Sequence, residues 1–173
     1  FIFLCYNLIK IRSDNMKIYI IGSPGSGKTT LSQKLAKKYD TTSYELDKII
    51  YDDENDHIKR KDSEVENLFQ DILRQDSWII EDVGREAFKL GKQESNIIYY
   101  LDVPKTTCYL RVIKRHIRQL LHIEKYNCPP TFKELKYMLK MVKNYHLKEH
   151  EKKDGLKEYH SKVKYIKNIK EVI

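Results

Sequence analysis

Short runs that are apolar on every position alternate, along this chain, with longer stretches in which apolar residues recur every three or four positions. Lys17-Ile-Tyr-Ile-Ile21, apolar after its first residue, is a run of the first kind and stops at Gly22, as a strand buried on both faces of a parallel sheet does. Leu31, Leu35 and Tyr39 then repeat at intervals of four, which predicts a helix over Thr29–Tyr39. Thr42–Leu46 predicts a second strand, closed by Asp47, and residues 52–62 are polar enough to be a loop or small insertion. Ser63 and Glu66 have the spacing of a capping box, opening a helix with Val65, Leu68, Phe69, Ile72 and Leu73 on one face. Trp78–Ile80 predicts a third strand, and Asn96–Leu101 a fourth that is closed by Asp102-Val103-Pro104. A helix is expected from about Lys105 to His122. A second capping box, Thr131 with Glu134, opens another that runs to about Glu149, and Val163–Ile166 predicts the last strand. Such alternation means an α/β fold built on a parallel sheet.

The first fifteen residues stand apart from this pattern. Phe1–Ile9 is apolar but shorter than the ~18 residues of a membrane span, and it lacks the basic flank and small-residue cleavage site of a secretory signal. Met16 falls immediately before the first strand. Residues 1–15 are therefore expected to be an extension outside the fold, with a short membrane-surface anchor as the alternative. Residues 16–173 are expected to form a single domain.

Composition narrows the class without naming a chemistry. With 40% apolar and 34% charged residues, six Gly and four Pro, the 173-residue chain is neither fibrous nor largely disordered. Cys5, Cys108 and Cys128 are odd in number and contain no C-x-x-C pair, which suits a reduced cytoplasmic protein with no disulfide frame or structural zinc. The net charge of +8 is unevenly spread. Residues 1–102 carry 15 Lys and Arg against 18 Asp and Glu, and residues 103–173 carry 18 against 7, so the halves differ in sign. A basic second half draws in polyphosphate ligands or nucleic acid, or is simply a set of solvated helix faces.

One motif is specific. Gly22-Ser23-Pro24-Gly25-Ser26-Gly27-Lys28-Thr29 satisfies G-x-x-x-x-G-K-[ST] and sits between a buried strand and a helix start, where its mechanism requires. Glycines let successive backbone N–H groups converge on phosphate oxygens, and the helix N-terminus assists them. Lys28 is placed to reach the outer phosphates of ATP, and Thr29 to offer its hydroxyl to Mg²⁺.

Extended to Thr30, this loop resembles that of the adenylate kinase-like group of P-loop kinases. Glu45-Leu46-Asp47, Trp78-Ile-Ile-Glu81 with Arg85, Ile97–Pro104, Arg111-Val-Ile-Lys-Arg115 and Lys125–Pro130 look most like one branch of it, the bacterial DNA topology modulation proteins. The resemblance runs from Met16 to the end of the chain. It implies a three-layer P-loop NTPase fold, with a five-stranded parallel sheet in order 2-3-1-4-5 and a helical lid over about residues 111–150. By the same resemblance Gly22–Thr30 bind the nucleotide, Glu81 stands where Asp is usual in holding the metal, and Asp82 stands where Gly is common. Which of the two serves Mg²⁺ stays open. Arg85 matches the arginine that grips an acceptor's phosphate. Asp47 occupies the place of an acid that orients or deprotonates an acceptor hydroxyl, and Arg111 and Arg115 match lid arginines.

Arg111, Arg115 and Arg118 recur at i, i+4 and i+7 and share one helix face, with Lys114 beside them. Lys59, Arg60 and Lys61 are further candidates for an anionic acceptor. His146 and His150 lack the Glu of H-E-x-x-H, so zinc is not expected. The expected function is a Mg²⁺–ATP-dependent phosphotransferase acting on a nucleotide, nucleoside or other small molecule. The alternative is a nucleotide-dependent nucleic-acid-binding, DNA topology-modulating regulatory protein that uses the basic half.

Overall fold

A computed structural model describes residues 15–52, 58–126 and 129–172. The expected extension therefore lies, apart from Asn15, outside the described residues, as do the middle of the 52–62 loop and Asn127–Cys128. Five strands alternate with helices: β1 (Lys17–Gly22), α1 (Lys28–Tyr39), β2 (Ser43–Glu45), α2 (Leu46–Ile50), α3 (Asp62–Leu73), β3 (Trp78–Asp82), α4 (Lys89–Glu94), β4 (Ile97–Leu101), α5 (Lys105–Leu120), α6 (Phe132–Leu147), α7 (Glu149–Gly155) and β5 (Val163–Ile166). The strands form one parallel sheet in the order β2-β3-β1-β4-β5, the order that the resemblance implies.

The central strand shows why the fold has three layers. Residues of β1 alternate between the two sheet faces, and both faces are covered, so Ile18–Ile21 are apolar at every position. Ile18 and Ile20 join Leu31 and Leu35 of α1, Cys108 and Val112 of α5 and Val142 of α6 in one core cluster. Tyr19 and Ile21 join Phe69 and Ile72 of α3, Trp78 and Ile80 of β3 and Phe88 in the other.

Parallel register gathers the carboxyl ends of the strands along one edge. Ile21 lies beside Asp82, Gly22 beside Leu101, and Glu45 beside Glu81. At β1 the chain order reverses, since β3 flanks it on one side and β4 on the other. Ligands of open α/β sheets bind at such a switch point.

Local differences from the sequence expectation have physical reasons. The second strand ends at Glu45, so Asp47 lies in the first turn of the five-residue helix α2 rather than at a strand end. Residues Tyr51–Asp52 and Ile58–Lys59 pair as a small antiparallel hairpin where a loop was expected. Arg60 fixes it by donating to the backbone oxygens of Lys48, Ile49 and Tyr51 and by pairing with Asp52 and Glu64. The Ser63–Glu66 capping box does not form, because α3 begins two residues earlier with Lys61 at its cap and no side-chain bond there. At α6 half of the expected capping box is present, with Thr131 accepting from the Glu134 N–H at 3.1 Å and no return bond from the Glu134 side chain. Helix α4 has only six residues and no period long enough to read from sequence.

Candidate nucleotide and acceptor site

The loop between β1 and α1 owes its shape to backbone geometry that side chains resist. Gly25 and Gly27 have φ of 77° and 103°, and Gly27 caps α1. The Ser26 N–H closes the turn on the Ser23 carbonyl at 3.0 Å. Behind the loop runs α5. A Cβ added at Gly25 would come within 2.6 Å of the Cys108 carbonyl oxygen, so helix and loop are in backbone contact.

Lys28 lies across this loop and donates from Nζ to the Ser23 carbonyl at 3.0 Å. Burial lowers its pKa, and the nearby carboxylates of Glu81, Asp47 and Asp82 oppose that shift. Thr29 donates to Glu81 Oε1 at 2.8 Å. Glu81 is buried, its Oε2 has no hydrogen-bond partner among the described residues, and burial pushes its carboxyl up to about 7 against the pull of Lys28 and Thr29. Oxygen donors of this kind suit a hard divalent cation. The orphaned Glu81 Oε2 beside the Thr29 hydroxyl therefore fits Mg²⁺, held directly or through its water.

Strand alternation sends the next residue the other way. Asp82 is buried on the opposite face, where it accepts from the backbone N–H of Arg85 and from the Tyr19 hydroxyl at 3.4 Å. Glu81, and not Asp82, is thus the carboxylate bonded to the loop threonine. The Arg85 guanidinium pairs through Nη1 with Asp82 and through Nη2 with Asp47. Asp47, Arg85 and Asp82 form a continuous chain at the sheet edge beside Glu81.

The predicted helix arginines fare differently from one another. Arg111 turns inward, donating to the Ser26 carbonyl at 2.9 Å and, at 3.4 Å, to that of Gly25. Arg115 and Lys114 are exposed and make no hydrogen bond or ion pair among the described residues. Arg118 pairs with Glu124 at 3.3 Å, while Lys59 pairs with Asp62 at 3.1 Å. Arg60 is committed to the hairpin. Thr30 is exposed in the first turn of α1.

Sequence reasoning missed one feature here. A cleft opens between Pro24 of the loop, Val83 after β3, Asn144 and Tyr145 of α6, and the lysines Lys148 and Lys152. In the sequence those lysines are two among many in a basic segment, and no motif sets them apart.

Residues 18–125, more than half of the chain, match the family described as AAA domain. Among curated proteins, none matches the chain. Solved structures similar to it include shikimate kinase from Bacteroides thetaiotaomicron, at 17% identity, covering 75% of this chain and 78% of that one with a TM-score of 0.45. A gluconokinase from Sinorhizobium meliloti 1021 is 13% identical over 74% of this chain and 75% of that one, with a TM-score of 0.44. Shikimate kinase from Acinetobacter baumannii, in complex with shikimate, is 18% identical over 90% and 85%, with a TM-score of 0.47. Motif, strand order and the match over residues 18–125 converge, and this chain belongs to the AAA domain family.

Proposed function

We propose that this protein is a Mg²⁺–ATP-dependent kinase that transfers the γ-phosphate of ATP to a small-molecule acceptor, within the branch that the DNA topology modulation proteins represent. The observation that carries the reading is the Asp47–Arg85–Asp82 chain standing beside the phosphate loop. A protein that only bound or hydrolysed ATP needs the loop and a metal carboxylate. It has no use for a second carboxylate held out at the same sheet edge by an arginine. Asp47 is largely exposed, and only its Oδ1 is engaged by Arg85.

Gly22–Thr30 would hold the phosphates, with backbone N–H groups and the Lys28 ammonium neutralising charge. Leaving the Ser23 carbonyl frees that ammonium for the outer phosphates. Thr29 and Glu81 would hold Mg²⁺, which supplies charge stabilisation on the transferring group. In the transfer the acceptor oxygen bonds to the γ-phosphorus as the bond to the bridging oxygen breaks, ADP leaves, and the hydroxyl proton passes to Asp47 and then to water. Arg115, exposed and without a partner among the described residues, is the lid arginine free to meet developing charge. Arg111, bonded to the loop carbonyls, holds the loop.

The same exposed Lys114 and Arg115 favour the second reading, nucleic-acid binding through a basic helix face. One variant separates the two. In a phosphoryl-transfer screen with Mg²⁺–ATP against nucleosides, nucleoside monophosphates and small metabolites, Arg115→Ala is expected to lower turnover about 10²–10³-fold with little change in ATP affinity. Arg115→Lys should recover part of the loss, since an ammonium lacks the guanidinium fork. Unchanged transfer, together with weaker duplex binding and a salt slope flatter by about one, would reject the kinase role of this helix.

A further inference from the structure

The kinase reading leaves the acceptor's chemistry open, and the inference here rests on that reading. Arg85 is the residue expected to grip an acceptor anion, yet Asp47 and Asp82 already occupy both of its terminal nitrogens. The three groups together carry one negative charge. An anion brought to Arg85 meets two carboxylates, and stripping the arginine from buried Asp82 would leave an unpaired charge there. A hydroxyl is well received at this place, and an anion is not.

The neighbouring cleft is lined largely by the apolar surface of residues such as Pro24, Val83, Met141 and Tyr145, and the charged residues of its lining are Lys148 and Lys152. Lys152 Nζ donates to the Gly84 carbonyl at 3.2 Å, one residue before Arg85, and lies 5.2 Å from the centre of the Tyr145 ring. Neither Lys152 nor Lys148 has a carboxylate within salt-bridge distance among the described residues, whereas neighbouring lysines do. Lys153 pairs with Asp102 at 3.0 Å and with Glu149 at 2.9 Å, and Lys157 pairs with Asp154 at 2.8 Å. Burial lowers the Lys152 pKa, although Asp82 pulls it upward, so the ammonium is partly desolvated without a counter-charge of its own. Asn144 adds an amide, and Pro24 makes the cleft share a wall with the phosphate loop.

We propose that the Lys148–Lys152 cleft is an anion-binding subsite that selects the acceptor: a small hydroxyl compound with one carboxylate or phosphate monoester, whose anion sits between the lysines and whose reacting hydroxyl faces Asp47. Such a compound meets complementary charge at both ends, while a neutral polyol meets it at one.

The test is binding, measured calorimetrically on the full chain with Mg²⁺ and a non-hydrolysable ATP analogue, using matched probes: glycerate, glycerol 3-phosphate and glycerol, then gluconate and sorbitol. At least one anion should bind tenfold or more tighter than its neutral partner, and whether it is glycerate or glycerol 3-phosphate distinguishes carboxylate from phosphate. Lys152→Met and Lys148→Met should each remove most of that preference, Lys152→Arg should retain it, and binding of the ATP analogue should not change. Lys148 is exposed, so its variant stays informative even where Lys152→Met lowers the melting temperature. Equal binding of anion and neutral partner, or a preference that survives both Met variants, overturns the proposal. Phosphoryl transfer to the same probes reads the kinase assignment separately. Transfer to neutral acceptors alone sinks the subsite and spares the kinase, and lysine-dependent anion binding without transfer to any acceptor does the reverse.

Discussion

Glu81 is the residue whose surroundings make the sharpest demand. A carboxyl held near 7 by burial keeps its proton where the unfolded chain has already lost it. The folded state therefore binds more protons than the unfolded state between the ordinary glutamate range and about 7. In that window stability falls as pH rises, by about 3 kcal/mol for a shift of this size in the ligand-free protein. Chemical denaturation from pH 4.5 to 8 should show the decline, and Glu81→Gln should flatten it. Binding reverses the balance, because a divalent cation at Thr29 and Glu81 favours the carboxylate. At pH 7, Mg²⁺–ATP binding should release about half a proton per site. Calorimetry in buffers of different ionisation enthalpy measures this release. An identical release from Glu81→Gln would remove Glu81 from the metal site.

Among the elements, α4 shows how a short helix is fixed by packing where propensity is weak. A Cβ added at Gly91 would come within 2.8 Å of Tyr19 Cε2 and 3.1 Å of Phe69 Cζ, so the glycine is what lets α4 approach the sheet. Gly91→Ala gains about 1 kcal/mol of helix propensity and loses about 1–3 kcal/mol to overpacking. A net loss of stability is expected in denaturant. Gly155→Ala, at a glycine whose added Cβ meets nothing within 4 Å, should be neutral or stabilising. The contrast explains what the sequence disclosed. Strands buried on both faces show as unbroken apolar runs and helices of twelve or more residues carry a period, so β1, β3, β4, α1, α3, α5 and α6 were readable. So was the phosphate loop, because its chemistry is local and fixes its own spacing. Helix α4 and the hairpin are too short to have a period. The pairing of Asp47 with Arg85 joins residues 38 apart in sequence, and the Lys148–Lys152 cleft exists only once α6 is docked beside the loop. Neither leaves a local signature.

On the scale of the whole molecule, the two core clusters share one sheet and neither face is covered without it. Trp78, the single tryptophan, is fully buried in β3, between β2 and β1. Its fluorescence should report the same denaturation midpoint as helix content by circular dichroism, as expected of one cooperative unit. Separate midpoints would show that the faces unfold independently. Helix α5 joins this unit unevenly. Its first turns touch the loop at Gly25 and clasp it through Arg111, while Ile117 and Leu120 near its far end are exposed. A helix is stiff, and at 1.5 Å per residue Leu120 lies about 13 Å beyond Arg111. The helix is in effect a rod clamped to the phosphate loop by its first turns, with α6 packed against it. A tilt of about 5° at the clamp displaces its tip by about 1 Å, so small adjustments of the loop are magnified at the far end. The rod ends at His122, whose φ of 55° turns the chain back so that the Ile123 and Glu124 N–H groups bond the Arg118 carbonyl and Glu124 pairs with Arg118.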